Sequence, residues 1–519
     1  MPEQSKLTLR PDKVEPISLA NLADRFGLES ASQSVFVTGV TMTTADLREG
    51  DLFVALPGMK THGARFADKA VALGARAIIT DANGIELIEA FGNLDVPVLQ
   101  LENPRAELGA IAAYVYQNTR ENLPKLLATT GTNGKTSTSY FLEGVLRQLG
   151  EITGLTTTAE RHIADEIVTS RLTTPESTEM HALLARMREK RVTAVAVEVS
   201  AQALTQHRVD GLHFDVAGFT NLSHDHLDDY ADMTAYLRAK AELFTPARSD
   251  RGVICLDTEF GQQLRDLSRI PCVTLSSHPT SSLLEVQADW HVEITAELAD
   301  RTEFELIGPQ SQKLVSSVPV LGAHMAVNAS LAIVMLVEAG FDFSQIASAI
   351  EPGIVAFLPG RTELISAPGA PNVYVDFGHS PDAFAKTLAA LKKVTKGRII
   401  MVFGASGDRD ATKRPEMGRV AASQADILVV TDQHPRNEDP ETIRRTLIEA
   451  AIAFKPEVEL YEQPDPAKAI RKALALAAPT DTVLWAGPGH LDYREIRGEK
   501  VPFSAREEVK AALQELSAK

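Results

Sequence analysis

Lys125-Leu126-Leu127-Ala128-Thr129-Thr130-Gly131-Thr132-Asn133-Gly134-Lys135-Thr136-Ser137 is the stretch that decides the fold class. Lys125–Thr130 reads as a strand, Gly131–Gly134 as a glycine turn, and Lys135–Leu149 as a helix closed by Gly150. Glycines let backbone N–H groups close around phosphate oxygens, and the helix N-terminus adds positive potential. Lys135 then reaches the β- and γ-phosphates, and the Thr136 hydroxyl suits Mg²⁺. The longer common loop has a glycine where Thr129 stands, so this is a shortened GxxGK[ST] form. ATP held by Gly131, Thr132, Asn133, Gly134, Lys135, Thr136 and Ser137 is the expectation.

Outward from this loop the chain alternates short apolar runs with helical patterns. Towards the N-terminus, Val35–Val40, Asp51–Leu56 and Ala75–Thr80 read as strands and Phe66–Leu73 as a helix stopped by Gly74. Towards the C-terminus, strands are expected at Ala194–Val199 and Val253–Leu256, and a helix over His324–Ala339 before Gly340. Pro352–Pro359 reads as a linker. Beyond it, Val373–Phe377, Arg398–Phe403, Ile427–Thr431 and Thr482–Ala486 are strand-like, separated by helical segments such as Pro381–Val394 and Pro466–Ala478. That alternation predicts an α/β protein with mostly parallel sheets covered by helices.

The 519 residues, 44% hydrophobic and 23% charged, allow about three domains. With 32 Gly and 27 Pro the chain is neither collagen-like nor low-complexity. Against 69 acidic side chains stand 52 basic ones, a net charge of −17, which argues against non-specific binding of nucleic acid or anionic membrane. The N-terminal stretch has no apolar core of a secretory signal. The apolar run Leu331–Val337 stops at Glu338, far short of the ~18 residues that span a bilayer. Two cysteines, Cys255 and Cys272, form no disulfide framework and fit a cytoplasmic protein.

Glu198 ends a predicted strand, where α/β sheets gather their ligands, and a carboxylate there suits a second Mg²⁺. By itself a strand-end glutamate is more simply read as solvated. His224-Asp225-His226-Leu227-Asp228 packs two histidines and two aspartates together, a density that suits a polar surface loop as well as a metal site. Lys240 lies in the helical pattern Tyr236–Phe244, and spacing alone leaves it a solvated lysine.

At this point the residues match a known family. The chain resembles the Mur ligases, most closely the MurE type, in ordered motifs: GDLFVALPG (Gly50–Gly58), TGTNGKT (Thr130–Thr136), TTPES (Thr173–Ser177), EVSAQAL (Glu198–Leu204), TNLSHDHLD (Thr220–Asp228), YLRAKAELF (Tyr236–Phe244), LPGRTE (Leu358–Glu363), VDFGHSPDA (Val375–Ala383), FGASGDRDATKRPEMG (Phe403–Gly418), HPRNEDP (His434–Pro440) and GPGH (Gly487–His490). The resemblance implies three domains: an N-terminal UDP-substrate domain (1–120), a central P-loop ATPase domain (121–357), and a C-terminal Rossmann-like α/β domain that brings in the amino acid (358–519). The active site is then expected between the last two. It implies that the D-glutamate carboxylate of UDP-N-acetylmuramoyl-L-alanyl-D-glutamate attacks ATP, giving an acyl phosphate that the amine of a free diamino acid then captures. Lys135 and Mg²⁺ stabilise the phosphoryl charge. By the same likeness Thr136, Glu198 and His226 are metal ligands, and Lys240 carries a CO₂-derived carbamate. Asn328, Arg361 and Asp376 surround the nucleotide, and Thr44, Thr173, Thr174, Ser200, Gln206 and Arg208 contact the UDP-sugar. A cytoplasmic monomer acting in peptidoglycan synthesis is expected.

Three departures stand out. The family's Asp-Ser-Arg near the uridine is Thr43-Thr44-Ala45 here, keeping a hydroxyl and losing the arginine. Diaminopimelate-adding members carry Asp-Asn-Pro-Arg and Gly-Lys-Gly-His-Glu; this chain has Gln433-His434-Pro435-Arg436 and Gly487-Pro488-Gly489-His490-Leu491. Arg409 and Arg436 keep carboxylate contacts available, but the glutamate that holds a distal ammonium has become Leu491. L-Lysine or a similar diamino acid is slightly favoured, with meso-diaminopimelate the alternative. A folylpolyglutamate-type ligase would not need the GDLFVALPG block. An inactive scaffold would have lost one or more of Lys135, Thr136, Glu198, His226 and Lys240. A generic P-loop ATPase leaves Arg409 and Arg436 without a purpose.

Overall fold

A computed structural model describes residues 9–29, 34–58, 60–90, 92, 94–224, 229–278 and 287–518. The chain divides into two compact units. The first comprises residues 1–128, 150–217 and 242–250; the second comprises 129–149, 218–241 and 251–519.

In the first unit, Gly39–Thr41, Asp51–Ala55, Ala77–Thr80 and Val98–Gln100 form a parallel four-stranded sheet. Asp51–Ala55 and Ala77–Thr80 are buried along their whole length, as apolar runs covered on both faces should be. One face packs Val54 and Ile79 against Leu108 and Ile111 of the helix Pro104–Val115. The other packs Phe53 and Ile78 against Ile88. The predicted strand Val35–Val40 is broken in two. Phe36–Val37 pairs antiparallel with Ile17–Ser18, and Gly39–Thr41 joins the parallel sheet, so the chain changes sheets at Thr38. The N-terminal segment is tied down by Arg10, which bonds both carboxylate oxygens of buried Asp51 at 2.6 and 2.5 Å. Farther along, Thr153–Thr156 and Ala194–Glu198 run parallel, and the hairpin Glu160–Ile163/Glu166–Thr169 adds antiparallel to the first of them.

In the second unit, the helix Lys135–Gln148 follows the phosphate loop and packs against the apolar helix Ala323–Glu338. Strands Trp290–Glu297, Thr302–Ile307 and Lys313–Val318 form an antiparallel meander. This departs from the parallel pattern expected along the chain. Thr302–Ile307 (TEFELI) alternates buried and half-buried residues, the period of a sheet covered on one face only. A six-stranded sheet runs in the order Glu363–Ile365, Asn372–Asp376, Thr482–Ala486, Ile399–Phe403, Ile427–Val430, Glu459–Glu462. Its first pairing is antiparallel and the others are parallel. Helices cover both faces, giving two cores around Leu388, Met401 and Leu447 and around Val402, Ile470 and Trp485. Among the described residues no helix is long and apolar enough to cross a membrane.

The topology places the chemistry. The loops that begin after Thr130, Glu198, Phe219, Asp376, Phe403, Val430 and Ala486 all leave the carboxyl ends of their strands, where open α/β sheets bind ligands.

Candidate active site

The phosphate loop of the second unit is built around two glycines and a tight polar frame. Gly131 has φ +144°, and a Cβ there would lie 1.9 Å from Thr220 Oγ1. Gly134 has φ +89°, and its Cβ would lie 2.6 Å from Asn328 Oδ1. The loop is fixed from the following strand-end: Thr220 Oγ1 and Asn221 Nδ2 donate to Asn133 O at 2.6 and 3.0 Å, and Thr132 N donates to Asn221 O at 2.8 Å. Asn133 Nδ2 in turn donates to Asp382 Oδ2 at 3.0 Å.

Three cationic side chains converge on this loop. Lys135 Nζ donates to Gly131 O and Thr132 O at 3.2 and 2.9 Å. Lys240 Nζ donates to the same Gly131 O at 2.7 Å and sits 4.4 Å from the centre of the Tyr236 ring. Arg361 donates to Thr136 Oγ1 at 3.1 Å and lies 4.3 Å above the Phe377 ring. Lys240 is only 1% exposed, against the solvated position that its spacing suggests. Asn328, Arg361 and Asp376 are likewise buried. Asp376 acts by shaping the chain: it accepts from Thr362 N at 2.8 Å and Gly378 N at 2.7 Å. Ser137 is buried in the first turn of the loop helix.

Of the candidate metal ligands, Thr136 lies in the second unit, Glu198 lies in the first, and His226 falls outside the described residues. Glu198 is 2% exposed, not solvated: it accepts from Thr158 N at 2.8 Å and Thr158 Oγ1 at 3.1 Å. Among the described residues no cluster of three His, Cys, Asp or Glu side chains has metal-binding geometry by itself. An ion arriving with ATP draws most of its ligands from phosphate and water, which suits isolated hydroxyl and carboxylate donors.

The first unit also gathers most of the candidates for the sugar substrate. Thr173 Oγ1 and Thr158 Oγ1 share a hydrogen bond of 3.0 Å, and Thr174 Oγ1 donates to Glu198 O at 2.8 Å while accepting from Ser200 N. Ser200 caps the short helix Ala201–Thr205 by accepting from Ala203 N at 3.1 Å. Arg208 pairs with Glu176 at 3.0 Å and donates to Gln206 Oε1 at 2.7 Å. Sequence reasoning missed Arg105, which pairs with the same Glu176 at 2.8 Å and bonds Gln206 O. Its signal was weak: it is the second residue of a helix opened by Asn103-Pro104. Thr44 follows a turn in which Thr43 Oγ1 accepts from Ala45 N.

In the second unit the loops after Phe403, Val430 and Ala486 hold the remaining candidates. Arg409 is exposed. His434 is buried and its Nδ1 accepts from Glu495 N at 3.1 Å. Burial, aided by Arg436 and Arg494, pushes its pKa down to about 4, so the ring is neutral. Arg436 takes a positive φ of 52°. Its Nε donates to Glu495 Oε2 at 3.0 Å and its Nη1 to Gly407 O at 3.1 Å. Gly487 has φ +116°, and a Cβ there would meet the Gln433 amide at 2.6 Å. Leu491 lines a small cavity together with Gln433, His434, Trp485, Tyr493 and Phe503. Neither Glu438, two residues after Arg436, nor Asp492, next to Leu491, stands in for the missing glutamate: Glu438 is held by both Nη atoms of Arg414 at 2.8 Å, and Asp492 is exposed.

Known proteins share this sequence and architecture. The Mur ligase middle domain matches residues 129–336, the Mur ligase glutamate ligase domain 360–489, and the Mur ligase family catalytic domain 36–116. A UDP-N-acetylmuramyl-tripeptide synthetase of Leifsonia xyli subsp. xyli is 53% identical over 511 residues, 98% of each chain. A UDP-N-acetylmuramoyl-L-alanyl-D-glutamate–2,6-diaminopimelate ligase of Streptomyces coelicolor is 40% identical, covering 97% of this chain and 98% of its own. A solved 2,6-diaminopimelate ligase matches with TM-score 0.66 at 26% identity, over 97% of this chain and all of its own. The MurF ligase of Thermotoga maritima, solved in complex with ADP, shares the fold with TM-score 0.64 at 18% identity, over 92% and 97% of the two chains. The chain therefore belongs to the Mur ligase family, in its MurE-type branch.

Proposed function

We propose that this protein is an ATP-dependent ligase that adds a diamino acid to UDP-N-acetylmuramoyl-L-alanyl-D-glutamate, as the third residue of the peptidoglycan peptide. The observation that carries the reading is the convergence of Lys135, Lys240 and Arg361 on one glycine loop at a helix N-terminus. The Lys135 and Arg361 cations and the helix N-terminus together make a positive cradle that a bound polyphosphate neutralises. A carboxylate oxygen bonds to the γ-phosphorus as the bond to the ADP oxygen breaks. The amine nitrogen then bonds to the acyl carbon, phosphate leaves and the amine loses a proton. Lys135 and Arg361 meet the charge on the phosphoryl oxygens. Thr136, Glu198 and His226 would hold Mg²⁺, which would supply Lewis-acid neutralisation of the phosphates. Lys240 would carry the carbamate, which would supply negative charge to help position the metal. Thr44, Thr173, Thr174, Ser200, Gln206, Arg208 and Arg105 face the UDP-sugar dipeptide. The segments 1–120, 121–357 and 358–519 serve as sugar, ATP and amino-acid domains of a cytoplasmic monomer.

Leu491 favours L-lysine or a similar diamino acid. The diaminopimelate-adding relative from Streptomyces coelicolor, at 40% identity, supports meso-diaminopimelate as the second reading. Phosphate release from MgATP with the UDP-dipeptide and L-lysine, L-ornithine or meso-diaminopimelate, with product mass, tests the assignment. Turnover that needs both the dipeptide and one diamino acid is expected. ATP hydrolysis indifferent to both refutes it.

A further inference from the structure

We infer that Glu495 is a specificity-determining residue: its carboxylate occupies Arg436, so the site takes an L-diamino acid that has no distal carboxylate. This rests on the ligase reading above. Arg436 is the half-buried cation on which a distal substrate carboxylate would dock, and its Nε already donates to Glu495 Oε2 at 3.0 Å. Its Nη1 is spent on Gly407 O and Asp408 O at 3.1 and 3.4 Å.

The pairing is fixed by backbone and is not a loose surface contact. Glu495 lies on the hairpin Tyr493–Ile496/Glu499–Pro502, whose two-residue turn Arg497-Gly498 has φ of 51° and 81°, the geometry of a tight primed turn. That hairpin is stitched to the loop by Arg436 N to Glu495 O at 3.0 Å and Arg497 N to Arg436 O at 2.8 Å. Glu495 N also donates to His434 Nδ1. A second carboxylate arriving at Arg436 meets a guanidinium whose Nε and Nη1 are already engaged and a like charge held beside it.

The neighbouring cavity, lined by Gln433 and Leu491, favours an ammonium. Gln433 lies against Gly487, and its buried Oε1 has no hydrogen-bond partner. Such an acceptor is costly to leave unpaired and is satisfied by an N–H donor. Leu491 beside it contributes no charge.

Steady-state kinetics of the full chain with MgATP and the UDP-dipeptide test this, using L-lysine, L-ornithine and meso-diaminopimelate. The wild type is expected to favour L-lysine or L-ornithine over meso-diaminopimelate by about 100-fold or more in kcat/KM, the scale of a like-charge clash. Glu495→Gln, which keeps size and hydrogen bonding, should raise kcat/KM for meso-diaminopimelate about tenfold. The gain should come through KM, with KM for ATP and the melting temperature unmoved. Equal use of meso-diaminopimelate by the wild type overturns the inference alone. So does an unchanged ratio in folded Glu495→Gln and Glu495→Ala. Should both variants fail to fold, competition in the wild type decides: inhibition of L-lysine turnover by meso-diaminopimelate near the lysine KM overturns it. Wild-type turnover with none of the three overturns the ligase reading, and this inference with it.

Discussion

Lys240 buries its ammonium 2.7 Å from Gly131 O, so it acts on the loop proposed to hold ATP. Lys240→Ala leaves that carbonyl without this donor and should cut kcat at least about 100-fold, the scale for removing one preorganised electrostatic group. Lys240→Arg separates the two roles of the side chain, because arginine donates to the carbonyl but takes up no CO₂. Phosphate release near the wild-type rate in Lys240→Arg would remove the carbamate from the mechanism. Gly134 gives a second test at this scale. Its φ of +89° and the 2.6 Å approach of a Cβ to Asn328 Oδ1 mean that Gly134→Ala strains the loop and displaces Asn328. A shift of that size should lower kcat/KM for ATP on the order of 100-fold, measured with the dipeptide and amino acid saturating. Neither burial nor this crowding was legible in the sequence. Lys240 lies between Ala239 and Ala241, and only tertiary packing decides whether such a lysine is wet or dry.

The helix Pro381–Val394 carries the site's next layer of control. Ser380 caps it by accepting from Ala383 N at 3.3 Å, with Pro381 in the first turn. That turn aims Asp382 at Asn133 Nδ2 and at Lys386, 3.0 and 2.9 Å away. Ser380→Ala should cost about 1 kcal/mol and Ser380→Gly only a few tenths. Hydrogen exchange at the amides of Ala383–Lys386 should then run about fivefold faster in the alanine variant and nearly unchanged in the glycine one. Equal acceleration in both would mean the hydroxyl does not cap. This helix was readable, because cap, proline and apolar period all agree; so was the strand–glycine–helix of the phosphate loop. The meander from Trp290 to Val318 was not. Its exposed face carries Glu293, Glu303, Glu305 and Lys313, so the strands lack the unbroken apolar runs that mark a buried parallel sheet. The Tyr493–Pro502 hairpin carries a short-range signal only in the turn pair Arg497-Gly498.

At the scale of the whole molecule, three histidines among the described residues make stability depend on acid. His181, His324 and His434 are each held to a pKa of about 4, chiefly by burial, against about 6.5 in an unfolded chain. The folded values are depressed, so the stability these neutral rings contribute is complete above pH 6.5 and is lost as pH falls from 6.5 towards 4. Each group adds a slope on the order of 1.4 kcal/mol per pH unit within that window. His181 shows why the second proton is refused. Its Nε2 donates to Asp210 O at 3.0 Å, while its Nδ1 faces the Asn118 amide nitrogen at 3.2 Å, so a proton on Nδ1 would meet another donor. Calorimetric melting temperatures between pH 7.5 and 4.5 should therefore be flat at the upper end and fall increasingly steeply below pH 6.5. His181→Gln keeps a donor and an acceptor but does not titrate. It should melt lower than the wild type at pH 7 and lose less on acidification, so that the two curves converge. Parallel curves through that window would mean that His181 takes up its proton without opening the Asn118–Asp210 site, and that the acid sensitivity lies in other groups.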